Sequence, residues 1–208
     1  MLLPFQPITK PNLVLVEGPD DKEIISNLLG YLHLRADVDI REVMGKENFR
    51  DGIDLISKRP DFKTFVKSLV IIRDADTDAA SAFQSIHNAL SAAKLPTPRE
   101  PEITLKDFPF VSVFIAPDNK RAGSLESLCM GAISDQAALG CVTDFLRCAA
   151  DAGLSLRQPE KTKFYAYLAT RPYPVKSIYA AIEGNHISLD HAAFSRLRDF
   201  LSRACFVS

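Results

Sequence analysis

LVIIRDADTD, at residues 69–78, is the stretch that decides the fold of this chain. Its first four residues are apolar, and no polar residue alternates with them. Such a run is typical of a strand that is covered on both faces, as in a parallel sheet. Ligands of open α/β sheets collect beyond the carboxyl ends of the strands. We therefore expect the acidic residues that follow the run to lie at a functional site.

Three aspartates follow the run at two-residue intervals, at Asp74, Asp76 and Asp78. Side chains alternate along an extended chain, so Asp74 and Asp76 are expected to point the same way, and Asp78 follows if the extension persists. Crowded carboxylates repel one another, and hard divalent cations such as Mg²⁺ take oxygen ligands. A helix that begins near Asp78 needs only one acidic cap. The pattern therefore favours a metal or phosphate site over helix capping alone.

The remaining apolar patterns predict an α/β fold. Strands are expected at residues 13–16, 37–44 and 110–116, and helices at 45–59, 78–93, 135–150, 160–170 and 189–203. Alternating strands and helices indicate three layers, a largely parallel sheet of about four strands with helices on both faces. We expect this domain to span residues 1–135, and residues 136–208 to form a helical extension packed on it.

Two other strand ends also carry acids. Glu17 directly follows the first strand, and a Gly-Pro pair then favours a turn into a helix whose first turn contains Asp21. After the last strand, Ser124 is a good N-cap, and Glu126 falls in the first turn of the next helix. Taken alone, each of these acids is typical of helix capping. Since the carboxyl ends of parallel strands share one edge of a sheet, we expect the acids to converge there.

The composition indicates a globular cytoplasmic protein. With 208 residues, 47% of them hydrophobic, the chain can bury a core. No apolar run reaches membrane-spanning length, and residues 1–5 do not resemble a secretion signal, so no membrane partner is expected. The four cysteines lack Cys-x-x-Cys spacing and the histidines are scattered, which argues against a zinc site. We expect buried free thiols, with Cys141 and Cys148 on one helix face.

The three acidic strand ends together resemble the Toprim domain of topoisomerases, bacterial primases and the overcoming-lysogenization-defect (OLD) nucleases. Toprim proteins place a glutamate after the first strand and Asp-x-Asp, often Asp-x-Asp-x-Asp, after the third, as do Glu17 and residues 74–78. The OLD branch adds an acid four residues after the glutamate and a Ser-x-Glu near the last strand, which Asp21 and residues 124–126 resemble. The chain is similar to small stand-alone OLD-like proteins, and the resemblance covers residues 10–135.

This resemblance implies a nuclease that depends on Mg²⁺ or Mn²⁺ and acts on DNA rather than RNA. The implied direct metal ligands are Glu17, Asp21, Asp74 and Glu126, the ligands through water are Asp76 and Asp78, and Ser124 would orient the bound phosphate. The implied catalytic groups are Glu17, Asp74 and Asp76, with Lys163 preferred to Lys161 and Lys176 as the lysine that stabilises charge on the phosphate.

The chain also departs from the proteins that it resembles. OLD nucleases carry an ATPase ahead of the Toprim domain, but this sequence has no Gly-x-x-x-x-Gly-Lys-Ser/Thr phosphate loop. An ATP-driven step would therefore be absent or come from a separate ATPase polypeptide. None of the five tyrosines lies in a context typical of a topoisomerase nucleophile, and a primase would need a zinc module.

Three other functions remain open on the sequence. A haloacid-dehalogenase-like phosphatase would use Asp74 as its nucleophile, although that motif belongs after the first core strand. A receiver domain, which is a phosphotransfer protein, would use Asp20, Asp21 and Asp74, but it is smaller than this chain and leaves Glu126 without a role. A non-catalytic protein could keep the fold and use the metal only to dock nucleic acid or a partner.

Overall fold

The computed structural model of the protein describes residues 6–105, 107–133, 135–156, 159–171 and 177–205. Within these ranges, four strands form one all-parallel sheet in the order β2-β1-β3-β4. The strands are β1 (Asn12–Val16), β2 (Val38–Glu42), β3 (Ser68–Asp74) and β4 (Phe110–Ala116). The predicted three-layer α/β class and the predicted parallel sheet are confirmed.

Helices follow the strands along the chain. Those of the described ranges are α1 (Pro19–Tyr31), α2 (Phe49–Ser57), α3 (Pro60–Phe65), α4 (Ala79–Ala92), α5 (Leu125–Gly131), α6 (Gln136–Asp151), α7 (Pro159–Ala169), α8 (Ile178–Glu183) and α9 (Ser195–Ala204). The helices predicted at 78–93, 135–150 and 160–170 correspond to α4, α6 and α7.

Two of the predicted helical segments differ from the structure at their ends. The helix expected at 45–59 begins only at Phe49, after a short 3-10 turn, and a separate α3 starts at Pro60 because proline suits the first position of a helix. The helix expected at 189–203 begins at Ser195, also after a 3-10 turn. Helix α8 was not predicted.

Both faces of the sheet are covered, which explains its uninterrupted apolar strands. On one face, α2 and α4 pack against the odd-numbered side chains of the strands, in a cluster that includes Leu15, Ile71, Phe49 and Ile86. On the other face, α9 places Phe200 against Phe114 of β4, with ring centroids 5.2 Å apart. Since β2 and β3 lie on opposite sides of β1, right-handed crossovers place α1 on this second face.

The strand order creates a switch point between β1 and β3. From the end of β1 the chain crosses to β2 on one side, and from the end of β3 it crosses to β4 on the other. The two connections diverge, and ligands of open α/β sheets bind in the crevice that such divergence leaves. The register pairs Leu15 with Ile71, so β1 and β3 end side by side. Residues just beyond Val16 and Ile72 therefore flank the crevice.

Asp61 anchors the segment that precedes the sheet. Its carboxylate accepts the backbone N–H groups of Ile8 and Phe62, both at 2.9 Å, and two hydrogen bonds from the Arg59 guanidinium at 2.8 and 2.6 Å. The hydrogen bond from Arg59 is the main reason that the pKa of Asp61 lies well below its usual range. One carboxylate thus ties residue 8 to the start of α3.

The chain divides into two compact units, Met1–Ser124 with Ser195–Ser208, and Leu125–Phe194. The first contains the sheet with α1 to α4 and α9. In the second, α5 and α6 each pack on α7, whose Phe164 is fully buried. There, Arg171 pairs with Asp135 at 3.1 Å and lies 4.3 Å from the centroid of the Tyr167 ring. The domain boundary expected at residue 135 remains a prediction.

The cysteines only partly match the expected buried thiols. All four are free, and Cys129 and Cys205 are buried, but Cys141 and Cys148 are exposed on α6. The prediction is wrong for these two cysteines because Val142 is the only residue of α6 that is buried. No helix in the described ranges combines the length and the apolar character that a membrane span requires.

Candidate metal centre at the switch point

Glu17 stands at the end of β1, beside the crevice. Its Oε2 atom is buried and finds no hydrogen-bond partner among the described residues. Burial is the main cause that raises the pKa of Glu17, and the nearby charge of Asp76 raises it further, while Arg73 and Lys46 act in the opposite direction. A buried carboxylate oxygen without a donor is a group that a cation could satisfy.

Asp21 reaches the same edge from the first turn of α1. It is 7% exposed, and its Oδ2 atom accepts the backbone N–H of Gly18 at 2.9 Å. This hydrogen bond is the helix-capping role that the sequence suggested for the residue taken alone. The same hydrogen bond fixes the carboxylate above the end of β1. An oxygen of Asp21 lies within 4.8 Å of an oxygen of Asp74, so capping and proximity to a second acid coexist.

Asp74 is the last residue of β3, and the extended conformation does not continue past it. Asp76 has a φ of +52° and forms an isolated antiparallel bridge with Gly123, through backbone hydrogen bonds of 3.0 and 2.8 Å. The extension therefore does not persist to Asp78, which was the condition for the three side chains to point the same way. Asparagine and aspartate tolerate this left-handed conformation better than most residues.

Lys46 is a charged neighbour that the sequence analysis did not assign to the site. Its ammonium group donates to Asp76 Oδ2 at 2.9 Å, and this hydrogen bond raises the pKa of Lys46. It follows Gly45, whose φ of +118° is favoured only by glycine and lets the chain turn after β2. The sequence could have pointed to Lys46, because a glycine and this lysine directly follow a predicted strand. That strand ends at the same edge of the sheet as the acids.

The side chain of Asp78 makes its hydrogen bonds to the first turn of the helix that follows it. Its side chain caps α4 by accepting the backbone N–H of Ala80 at 3.0 Å and the hydroxyl hydrogen of Ser81 at 2.5 Å. The hydrogen bond from Ser81 is the main cause that lowers the pKa of Asp78. This is the capping role that the sequence analysis weighed against a metal site. Ligation through water by Asp78 remains a prediction.

Glu126, Lys161 and Lys163 belong to the second unit. Glu126 is 4% exposed in the first turn of α5, and Lys161 Nζ lies 3.6 Å from its Oε1 atom. Lys163, the preferred lysine, lies on the same helix and makes no ion pair within the described residues. Lys176 lies outside them. The geometry of this unit therefore favours Lys161 over Lys163 as a partner of an acid. Ser124 is the residue directly before α5.

Within the first unit, the carboxylates of Asp21 and Asp74 form the candidate ligand pair for a cation. They are oxygen donors only, without histidine or cysteine, which suits a hard cation such as Mg²⁺ or Mn²⁺. The two carboxylates thus fit the predicted metal, and ligation by Glu17 and Glu126 remains a prediction.

The chain was compared with known proteins. The model of a protein family described as "Protein of unknown function (DUF3226)" matches residues 11–206. The searches of curated proteins and of solved structures returned no match.

Proposed function

The chain belongs to the DUF3226 family, whose description states no activity, and we propose from the site that it is a divalent-metal-dependent nuclease acting on DNA. The observation that carries this proposal is the approach of Asp21 and Asp74 to within 4.8 Å at the switch point. Oxygens bound to one Mg²⁺ lie at most about 4.2 Å apart, because each is about 2.1 Å from the ion. Small side-chain adjustments would suffice to bring both oxygens onto one cation.

The division of labour among the residues follows from their surroundings. Asp21 and Asp74 would hold the cation, which when bound polarises a phosphoryl oxygen and stabilises developing charge. Glu17 would accept a proton from the attacking water, because its buried Oε2 atom has no hydrogen-bond partner among the described residues. Lys46, already paired with Asp76, would supply positive charge beside the phosphate.

The resemblance to Toprim proteins supports DNA as the substrate, and the chemistry of the acids supports phosphodiester hydrolysis. A separate ATPase polypeptide is a possible partner, since the sequence contains no phosphate loop of its own. The three other functions predict different outcomes at the same edge. A phosphatase or a phosphotransfer protein would form an acylphosphate on Asp74, and a docking protein would bind DNA without cutting it.

The test is nicking of supercoiled plasmid by the purified chain in Mg²⁺, in Mn²⁺ and in EDTA. We expect nicking only with metal, and a loss of at least about a hundredfold in Asp74→Ala or Glu17→Ala protein, equivalent to about 2.7 kcal/mol of transition-state stabilisation. Asp144→Asn is the matched control, because that aspartate is exposed on α6 and pairs only with nearby Arg147 in the described structure. Circular dichroism verifies that each variant is folded.

Three results would contradict the nuclease proposal. Nicking that persists in EDTA or in both site variants would point to another enzyme in the preparation. Phosphorylation of wild-type protein by acetyl phosphate that is labile to alkali and to hydroxylamine, and absent in Asp74→Ala, would favour phosphotransfer. Metal-dependent DNA binding without any cleavage would favour the docking protein.

A further inference from the structure

The opposite end of the sheet, where β3 and β4 begin, carries a second feature that the proposed nuclease does not use. A cavity of about 620 Å³ opens there between the ends of α2, α3 and α4 and the chain that enters β4. Small-molecule sites typically have volumes of about 300 to 1,000 Å³. All of its lining residues lie in the first compact unit.

The cavity is positively charged in a chain whose formal net charge is −1. Its lining includes one acid, Asp54, and three lysines, Lys58, Lys63 and Lys94. The net charge of the lining is therefore +2, from three positive charges and one negative charge. Lys58 pairs with Asp54 at 2.6 Å. Within the described part of the chain, Lys63 and Lys94 form no ion pair, and both are exposed. Two ammonium groups are thus available to an anion.

Lysines near the ends of helices also have an ordinary role, because they complement the free carbonyl groups of the last turn. That role explains one lysine at each of α2, α3 and α4. It does not explain why all three line one cavity together with an aromatic ring. Phe108 is 67% exposed at the cavity, whereas Phe62 in the same lining is 3% exposed. The cavity therefore combines a buried ring, an accessible ring and cations.

We propose that this cavity binds a small phosphorylated ring compound of about the size of a mononucleotide. Lysine ammonium groups bind phosphate as compact charges, and Lys63 and Lys94 would do so here. The exposed ring of Phe108 would stack on the planar ring of the ligand. The site is separate from the carboxylates beyond β1 and β3, because it lies where the strands begin.

The probe for the test is N-methylanthraniloyl-AMP, followed by fluorescence anisotropy with the full chain. We expect saturable binding that weakens about tenfold in Lys63→Glu and in Lys94→Glu, because each change replaces an attraction by a repulsion. Lys67→Glu is the charge-matched control, since Lys67 is exposed and only four residues after Lys63 but does not line the cavity. It should change the affinity less than twofold.

A second pair of variants tests the ring. Phe108→Ala should weaken binding about fivefold to tenfold through lost stacking, whereas Phe65→Ala should not, because Phe65 is 49% exposed but lies outside the lining. Unlabelled AMP should displace the probe at lower concentrations than adenosine or inorganic phosphate.

The inference is overturned by any of three results: no binding at millimolar probe, equal losses in the lining and control variants, or displacement by phosphate as effective as by AMP. The last result would show an anion patch without a ring site. Lys63→Gln and Lys94→Gln serve as neutral variants if a charge reversal disturbs folding. Plasmid nicking should be unaffected in every lining variant, so this test and that of the nuclease proposal fail independently.

Discussion

Replacing Asp74 by asparagine should stabilise the protein without metal, and this gain over the wild type should shrink or reverse when Mg²⁺ is added. In the absence of a cation, oxygens of Asp21 and Asp74 lie within 4.8 Å of each other, and two negative charges at that distance repel. The repulsion amounts to about 3.5 kcal/mol at an effective dielectric constant of about 20, and to about 1 kcal/mol in bulk water. Asp21 is 7% exposed, so its surroundings lie between these limits. In EDTA, Asp74→Asn should therefore raise the free energy of unfolding by about 1 to 3 kcal/mol.

With Mg²⁺ the difference in free energy of unfolding between Asp74→Asn and the wild-type protein should become smaller or change sign. A cation that binds only the folded wild-type protein stabilises it by about 1.4 kcal/mol at ten times its dissociation constant, and by about 2.7 kcal/mol at a hundred times. The Asp74→Asn protein has lost a charged ligand, so Mg²⁺ should stabilise it far less than it stabilises the wild-type protein. The chain contains no tryptophan, so urea unfolding is best followed by far-ultraviolet circular dichroism, in EDTA and in increasing Mg²⁺.

Asp144→Asn is the control in these measurements. Its carboxylate is 67% exposed, so the change in stability should stay below about 0.5 kcal/mol in either buffer. The reasoning is refuted if Asp74→Asn lowers stability in EDTA while Mg²⁺ leaves the wild-type protein unchanged. That result would mean that the aspartate stabilises the fold without any cation.

Three further predictions concern the fold. Asp61→Ala should cost about 2 kcal/mol at pH 7 through its lost charged hydrogen bonds; because folding lowers the pKa of this carboxyl, the stabilisation is complete above about pH 4 and declines below it, so urea melts of variant and wild type should converge in acid. Phe200→Ala should lower the free energy of unfolding by about 3 to 5 kcal/mol in the same assay, since its ring is buried against β4. Native-state labelling with a thiol reagent should modify Cys141 and Cys148 but not Cys205, whose pKa burial raises to about 12; equal labelling of all thiols would contradict the burial.

The sheet could be predicted from the sequence because its strands are covered on both faces. Residues 69–72 and 111–116 are apolar or small without alternation, and they are buried in the structure. A strand with one solvated face would have given only a period of two, which short segments satisfy easily by chance. Such apolar runs do not determine the order of the strands in the sheet. It follows from the pairing of β1 with both β2 and β3, which only the structure provides.

The helix boundaries could not be predicted equally well, since they depend on contacts and on local turns. Pro60 ends one helix and starts the next, and the sequence analysis used only the first of these roles. The apolar residues of α6 suggested a buried face, but a helix packed on one side leaves such residues exposed as readily as it buries them. Cys141 and Cys148 are the consequence.

The acidic segment after β3 shows most clearly how local structure separates residues that look alike in sequence. The left-handed conformation of Asp76 directs it into an ion pair with Lys46, and Asp78 is engaged as the cap of α4. Both roles compensate a negative charge or a free N–H group without any cation. Asp74, at the end of the strand, has a carboxylate oxygen within 4.8 Å of one of Asp21. A repeated aspartate motif therefore need not mean repeated ligation, since each of the three side chains has different surroundings.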